Sequence, residues 1–439
     1  QIFDLKMEIN ALNKQIENEN PDYYRLKYNT RVITVEEVQN ILTPDQALLE
    51  YFVGDSSIFA FFITPNGFTI KEIQKDFPLE GWVTNLRKGL YDYWLTPSNL
   101  RTNALYDELN ALYVENAFAL YQKLIAPLGE LPEKLVIVPD GVLGYVPFEV
   151  FLTEIPTDAS AFKTHKYLGK EHQISYNFSA TLWHEMREKA ATGNGVLAFA
   201  PSFETDSKLF AEVRSFRRNN LGALTHNVSE VEQINALVGG EMFLGTDATA
   251  ENFSNFAPGY AILHLATHAK LDDRNSDYAF LAFAGISDST DTGKIFIRDL
   301  YNMRLPAEMV VLSACETGIG ELQRGEGIIS LARGFTYAGA KSIVTSLWEV
   351  NDKAASEIMV DFYKNLKAGQ TKDAALQNAK MTYLDRQIEH RNAHPFFWAT
   401  FVGMGDMSAV RFGAFPWIYV LWSVLGVALV FLFFRWFKK

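Results

Sequence analysis

The chain has 439 residues, 48% hydrophobic and 21% charged, with a formal net charge of −12 and a single cysteine. That length holds two to three domains' worth of core. The acidic balance, interrupted by no long Lys/Arg run, excludes a general nucleic-acid binder, and one cysteine excludes an internal disulfide. The first residue is Gln1, so the chain reads as a fragment or processed product, with any signal peptide upstream of it.

In chain order, Ile2, Leu5, Ile9, Leu12 and Ile16 are spaced 3-4-3-4, a heptad-like stripe that ends at Asn20-Pro21. Two heptads are too few to define a coiled coil, so residues 1–30 read as a helical linker or the last helix of something upstream. From Ala47 the pattern becomes extended. Apolar runs at 47–53 and 58–64 flank Gly54-Asp55, and Pro65-Asn66-Gly67 makes a turn before 68–73, as in a hairpin or small meander. Leu86, Leu90, Leu105, Leu109, Leu112 and Leu120 among charged neighbours make 80–125 helical. Together, 31–130 reads as an N-terminal α+β subdomain.

Beyond it, short β runs at 135–139, 195–201, 261–267, 309–314 and 342–348 alternate with amphipathic helices at 229–238, 327–338 and 352–366. Uninterrupted apolar strands separated by helices predict, over 131–406, an α/β unit whose mostly parallel sheet is flanked by helices on both faces. Ligands of such sheets bind beyond the carboxyl ends of the strands.

Two strand exits carry candidate chemistry. The run Val310-Val311-Leu312-Ser313-Ala314 opens into Cys315-Glu316-Thr317-Gly318, and the 261–267 run ends at His268, 47 positions before Cys315. A lone cysteine is usually a small buried hydrophobe, but Glu, Thr and Gly after it suit a loop. A histidine about 50 residues upstream of a cysteine loop is the caspase spacing. A neighbouring imidazole both activates a thiol and protonates a departing amine, so a cysteine endopeptidase is the leading reading. His264 has the parity of His268 but lies mid-strand, where a hydrogen-bonded core histidine is expected. Asp140 and Asp352 follow strands at which a pocket would form, and Asp352 is equally placed to N-cap the helix that follows it. The remaining histidines, including His390 and His394, lack zinc-ligand spacing. No glycine-rich phosphate loop follows a strand, since Gly325-Glu326-Gly327 lacks the lysine. No cofactor or metal is therefore expected.

Residues 414–434 contain no charge. As a helix they would be about 31 Å long, the thickness of a bilayer core, with Trp417, Tyr419 and Trp436 at interfacial positions. A single-pass anchor with a basic tail at 435–439 is expected; the basic tail favours a cytoplasmic C-terminus with the large domain on the other side, and the alternative is a tail-anchored chain with a cytoplasmic domain.

Several of these segments together resemble CHAT domains: LVIVPDGVLGYVPFEVF, HLATHA, VVLSACETG, the long run from GEGIISLARGF through SLWEVND, and HPFFWATFVGMGD. CHAT domains are caspase-like domains related to separases and gingipains and are often preceded by tetratricopeptide repeats. The resemblance spans roughly residues 40 to 406. It implies a caspase-like fold, a His268/Cys315 dyad, an oxyanion hole from the Ala269 and Cys315 amides, and tetratricopeptide repeats upstream. It also likens the segment around Asp352 to the part of separase that receives a P1 arginine, which gives Asp140, Trp348 and Asp352 as substrate-binding candidates and Arg, or less often Lys, as the P1 residue. Ala269 departs from the glycine common after the family histidine, and would be strained if its φ were positive. The implied partners are a protein substrate, the upstream repeat region or a sensor acting through it, and the membrane, in a bacterial regulatory response such as defence. The competing reading is a catalytically silent scaffold with the same fold.

Overall fold

A computed structural model describes residues 32–203, 226–270, 276–286, 291–313, 327–348 and 351–412. In chain order the strands are β1 Gln46–Val53, β2 Ser57–Thr64, β3 Gly67–Gln74, β4 Lys134–Val138, β5 Gln173–Tyr176, β6 Val196–Pro201, β7 Glu241–Gly245, β8 Ile262–Ala266, β9 Ala269–Lys270, β10 Phe280–Ala282, β11 Lys294–Phe296, β12 Met309–Ser313, β13 Ser342–Ser346 and β14 Phe401–Gly405. Eleven of them form one sheet in the order β3-β2-β1-β4-β5-β14-β13-β12-β8-β6-β7, and β9, β10 and β11 form a small second sheet. All five strands expected between 131 and 406 are present, and the meander falls where the Gly54 and Asn66-Gly67 turns place it.

Strand direction decides where a site can lie. The strands β7, β6, β8, β12 and β13 run parallel to one another. So do β1, β4, β5 and β14. The two blocks meet at β13 and β14, which pair antiparallel. One edge of the sheet therefore gathers the carboxyl ends of β6, β8, β12 and β13, and the opposite edge gathers those of β1, β4, β5 and β14. A wholly parallel sheet would gather all strand exits at one edge; the antiparallel β13–β14 pairing divides them between two.

Every residue of β8, β12 and β13 is buried, which is why these strands read as unbroken apolar runs rather than alternating ones. The helices Asn227–Val238 and Asp352–Lys367 pack against each other and close over the face that carries His264. The expected 80–125 helix is two, Leu79–Leu95 and Asn103–Leu124. They are separated at Thr96-Pro97, because proline disfavours helical backbone in the residue before it, and Thr102 caps the second by accepting from Leu105 N at 3.1 Å. The pair approach so closely at Gly89 that a Cβ there would lie 2.6 Å from Tyr113 Cβ.

The hydrogen-bonded pairing of β1 with both β2 and β4 carries one sheet across the expected boundary at 130/131. Among the described residues, no helix is long and apolar enough to cross a membrane. The expected helical linker at 1–30 and anchor at 414–434 lie outside those residues.

Candidate active site

At the edge formed by β6, β8, β12 and β13, the β8–β12 ladder pairs Met309 with Ile262, Val311 with His264 and Ser313 with Ala266. The register offset is 47 residues, the separation between His268 and Cys315. His268 stands two residues past Ala266, and in the sequence Cys315 stands two past Ser313. Cys315 itself, with the rest of 314–326, lies outside the described residues.

His268 is 7% exposed, and the Phe203 ring leans on its imidazole with centroids 5.1 Å apart. Its backbone is fixed by the small sheet. The His268 carbonyl accepts from Ala282 N at 2.9 Å, and Thr267 Oγ1 donates to the Ala282 carbonyl. Ala269 then pairs with Leu281. Antiparallel ladders alternate hydrogen-bonded and open pairs, so Ala269 occupies an open pair and its N–H points away from β10. A residue in a strand adopts extended backbone, which alanine takes without strain. The departure from glycine at this position therefore costs nothing here.

The β8 exit is also held from behind. Asn227, buried at the start of its helix, donates through Nδ2 to the carbonyls of Pro201 at 3.1 Å and Ala266 at 3.3 Å, clasping the ends of β6 and β8 together. One turn on, Glu230 Oε1 lies 3.0 Å from His264 Nε2, and Tyr363 OH lies 3.2 Å from His264 Nδ1. His264 is fully buried with both ring nitrogens engaged, as its mid-strand position predicted.

The expected substrate-binding residues separate. Asp140 follows β4 and so lies at the opposite edge, five strands and about 24 Å across the sheet from β8. Its carboxylate accepts from Val53 N at 2.7 Å, and it is removed from the site. Trp348 follows β13 at the correct edge, but it is 2% exposed, donates from Nε1 to Phe396 O at 2.9 Å and sits 6.1 Å from the Tyr91 ring. It is a core residue rather than a pocket wall. Asp352 opens the helix after β13, at the same edge as His268. The cap of that helix is Asn351, whose side chain accepts from Ala354 N at 3.2 Å, so Asp352 is not the capping residue. Phe203, Thr267 and Asn227 escape sequence reading, since an isolated aromatic, threonine or asparagine beside a strand end carries no local pattern.

Among the described residues, no cluster of three His, Cys, Asp or Glu side chains is arranged to hold a metal. His394 sits in an aromatic cage with Phe162, Trp94 and Tyr113. Burial, reinforced by the nearby His165, pushes its pKa down to about 3.

A mixed α/β sheet of this order, with His268 just past the end of one strand and the single cysteine following the neighbouring strand in the sequence, is that of a caspase-like domain. The CHAT domain family matches residues 114–406, more than half of the chain, and the chain belongs to that family. It is similar to tetratricopeptide repeat protein 28 of Mus musculus, 24% identical over 378 residues, with 72% of this chain and 14% of that protein covered. The Homo sapiens protein of the same name is 24% identical over 373 residues at the same coverages. The chain thus spans about one seventh of the length of these relatives. Among solved structures, the 3.0 Å crystal structure of the Saccharomyces cerevisiae separase–securin complex aligns with TM-score 0.51 and 8% identity, covering 90% of this chain and 33% of that one. The 2.6 Å structure of the same complex gives TM-score 0.49 and 8% identity, covering 84% and 31%. At such identity the first likeness is one of fold.

Proposed function

We propose that this chain is a membrane-tethered, caspase-like cysteine endopeptidase that uses a Cys315/His268 dyad. The observation that carries the proposal is the 47-residue offset of the β8–β12 ladder, which equals the His268–Cys315 separation. Neighbouring strands lie about 4.8 Å apart, and in this reading the residues that follow the two paired strand ends serve one substrate carbonyl.

In this reading Cys315 Sγ attacks the scissile carbonyl, and the oxyanion takes hydrogen bonds from the Ala269 and Cys315 amides. Protonated His268 delivers its proton to the departing amine, and then takes one from the water that hydrolyses the thioester. Asp352, at the next strand exit, receives a P1 arginine, or less often lysine, through charge-assisted hydrogen bonds. The partners are a protein substrate and an upstream tetratricopeptide-repeat region that controls activity, with residues 414–434 as the anchor.

Labelling of the detergent-solubilised protein by an arginine-directed acyloxymethyl ketone tests this. Labelling lost in both Cys315→Ala and His268→Ala, and shifted away from arginine in Asp352→Ala, is the expected result. The burial of His268 beneath Phe203 favours a second reading, a silent scaffold. Alkylation of Cys315 by a simple reagent, with no peptide probe of any P1 type reacting even when the upstream partner is supplied, would establish it instead.

A further inference from the structure

Among the described residues, one face of the β1–β3 meander is left largely uncovered. By register, Glu50 and Phe52 on β1 share a face with Phe61 and Phe59 on β2 and with Ile70 and Glu72 on β3. The helix Val35–Ile41 covers only the end of this face beside Leu48 and Ile63, packing Val38 and Leu42 there, while Gln39 reaches the carbonyls of Thr64 at 3.1 Å and Gly67 at 3.2 Å. Beyond it Phe52 is 57% exposed, Ile70 52% and Phe68, next along β3, 43%. Phe59 and Phe61 lie half-buried between them. Five large apolar side chains in one patch mark a contact surface rather than a solvent face. The patch also borders β3, the edge strand of the large sheet, which presents a row of unpaired backbone groups.

We propose that residues 1–20 of this chain dock on this face, seating the stripe of Ile2, Leu5, Ile9, Leu12 and Ile16 against the exposed aromatics. The place where that segment joins the described chain supports this occupant. Residues 32–34 lead directly into the helix that already covers the neighbouring part of the same face, and Ile33 N donates to Thr181 Oγ1 at 3.2 Å beside it. The intervening residues 21–31 reach about 36 Å when extended, while the three strands are only about 10 Å across. A helix over 1–18 would be about 27 Å long, matching strands of eight residues. The proposal is independent of whether the domain is a peptidase.

Hydrogen exchange on the full chain in lipid nanodiscs tests it. In the wild type, amides of 2–16 are expected to exchange more slowly than those of the free peptide. That protection is lost in Ile70→Lys with Phe68→Ser, while slow exchange of the amides of β4 and β12 shows that the sheet itself stays folded. The reciprocal variant Leu12→Asp is expected to speed exchange along β3. An unprotected segment in the wild type overturns the proposal, as does protection that survives Ile70→Lys. A concentration-dependent mass that Ile70→Lys abolishes, with no change in the segment, assigns the face to a second copy of the chain and overturns it too.

Discussion

Substituting Asn227 tests how the β8 exit is held. Its buried carboxamide donates at 3.1 Å and 3.3 Å to the Pro201 and Ala266 carbonyls and accepts from Val228 N at 2.8 Å. Asn227→Ala removes all three bonds and leaves two carbonyls and one amide to be satisfied. At about 1 kcal/mol net per bond, and about 1–3 kcal/mol for a buried group left unpaired, the cost is about 2–4 kcal/mol. The isosteric Asn227→Asp keeps an acceptor for Val228 N but aims a carboxylate at two carbonyl oxygens, so it is at least as costly. Urea denaturation followed by tryptophan fluorescence reads both as lower midpoints at unchanged m. Since Ala266 is two residues from His268, both variants also slow probe labelling of Cys315 without abolishing it. An Asn227→Ala variant within about 0.5 kcal/mol of wild type, or an Asp variant more stable than the Ala variant, would refute the clasp.

Three further outcomes follow from the same structure. His394 is held near pKa 3 by burial, whereas in the unfolded chain it titrates near 6.5, so only the unfolded state takes up a proton between these values. Its contribution is therefore intact above pH 6.5 and falls as pH drops toward 3, by up to about 1.4 kcal/mol per pH unit. His394→Asn, which keeps an acceptor for Phe396 N, is expected to flatten the stability profile between pH 6.5 and 5, and equal slopes would contradict this. Glu149 pairs with buried Lys380 at 3.0 Å and accepts from Tyr176 OH at 2.5 Å. Glu149→Ala strands the ammonium at a cost of about 3–5 kcal/mol, and adding Lys380→Met recovers most of it; equal stability of the single and double variants would show the pair is not the cause. Deleting 414–434 is expected to move the chain from the carbonate-resistant membrane fraction to the supernatant, and unchanged fractionation would remove the anchor from the proposal.

The five strands expected between 131 and 406 were legible because both faces of each are buried, which writes an unbroken apolar run into the sequence. His264 was legible for a related reason, since strand parity and mid-run position assign it to the core. Direction was not legible. Nothing local in Phe401–Gly405 says that β14 runs against β13, and that one antiparallel pairing sends Asp140 to the far edge. The strand β5 is four residues, Gln-Ile-Ser-Tyr, and offers no run to detect. Trp348 and Asp352 are four residues apart at one exit, and only tertiary packing tells that the first is in the core while the second opens a helix.

The central claim is that Cys315 and His268 act on each other. Because the chain has one cysteine, the pH dependence of iodoacetamide alkylation reports Cys315 alone. The account predicts a thiol that titrates well below the ordinary value of about 8.5 in the wild type and returns to it in His268→Ala. Superimposable profiles for the two proteins would contradict it.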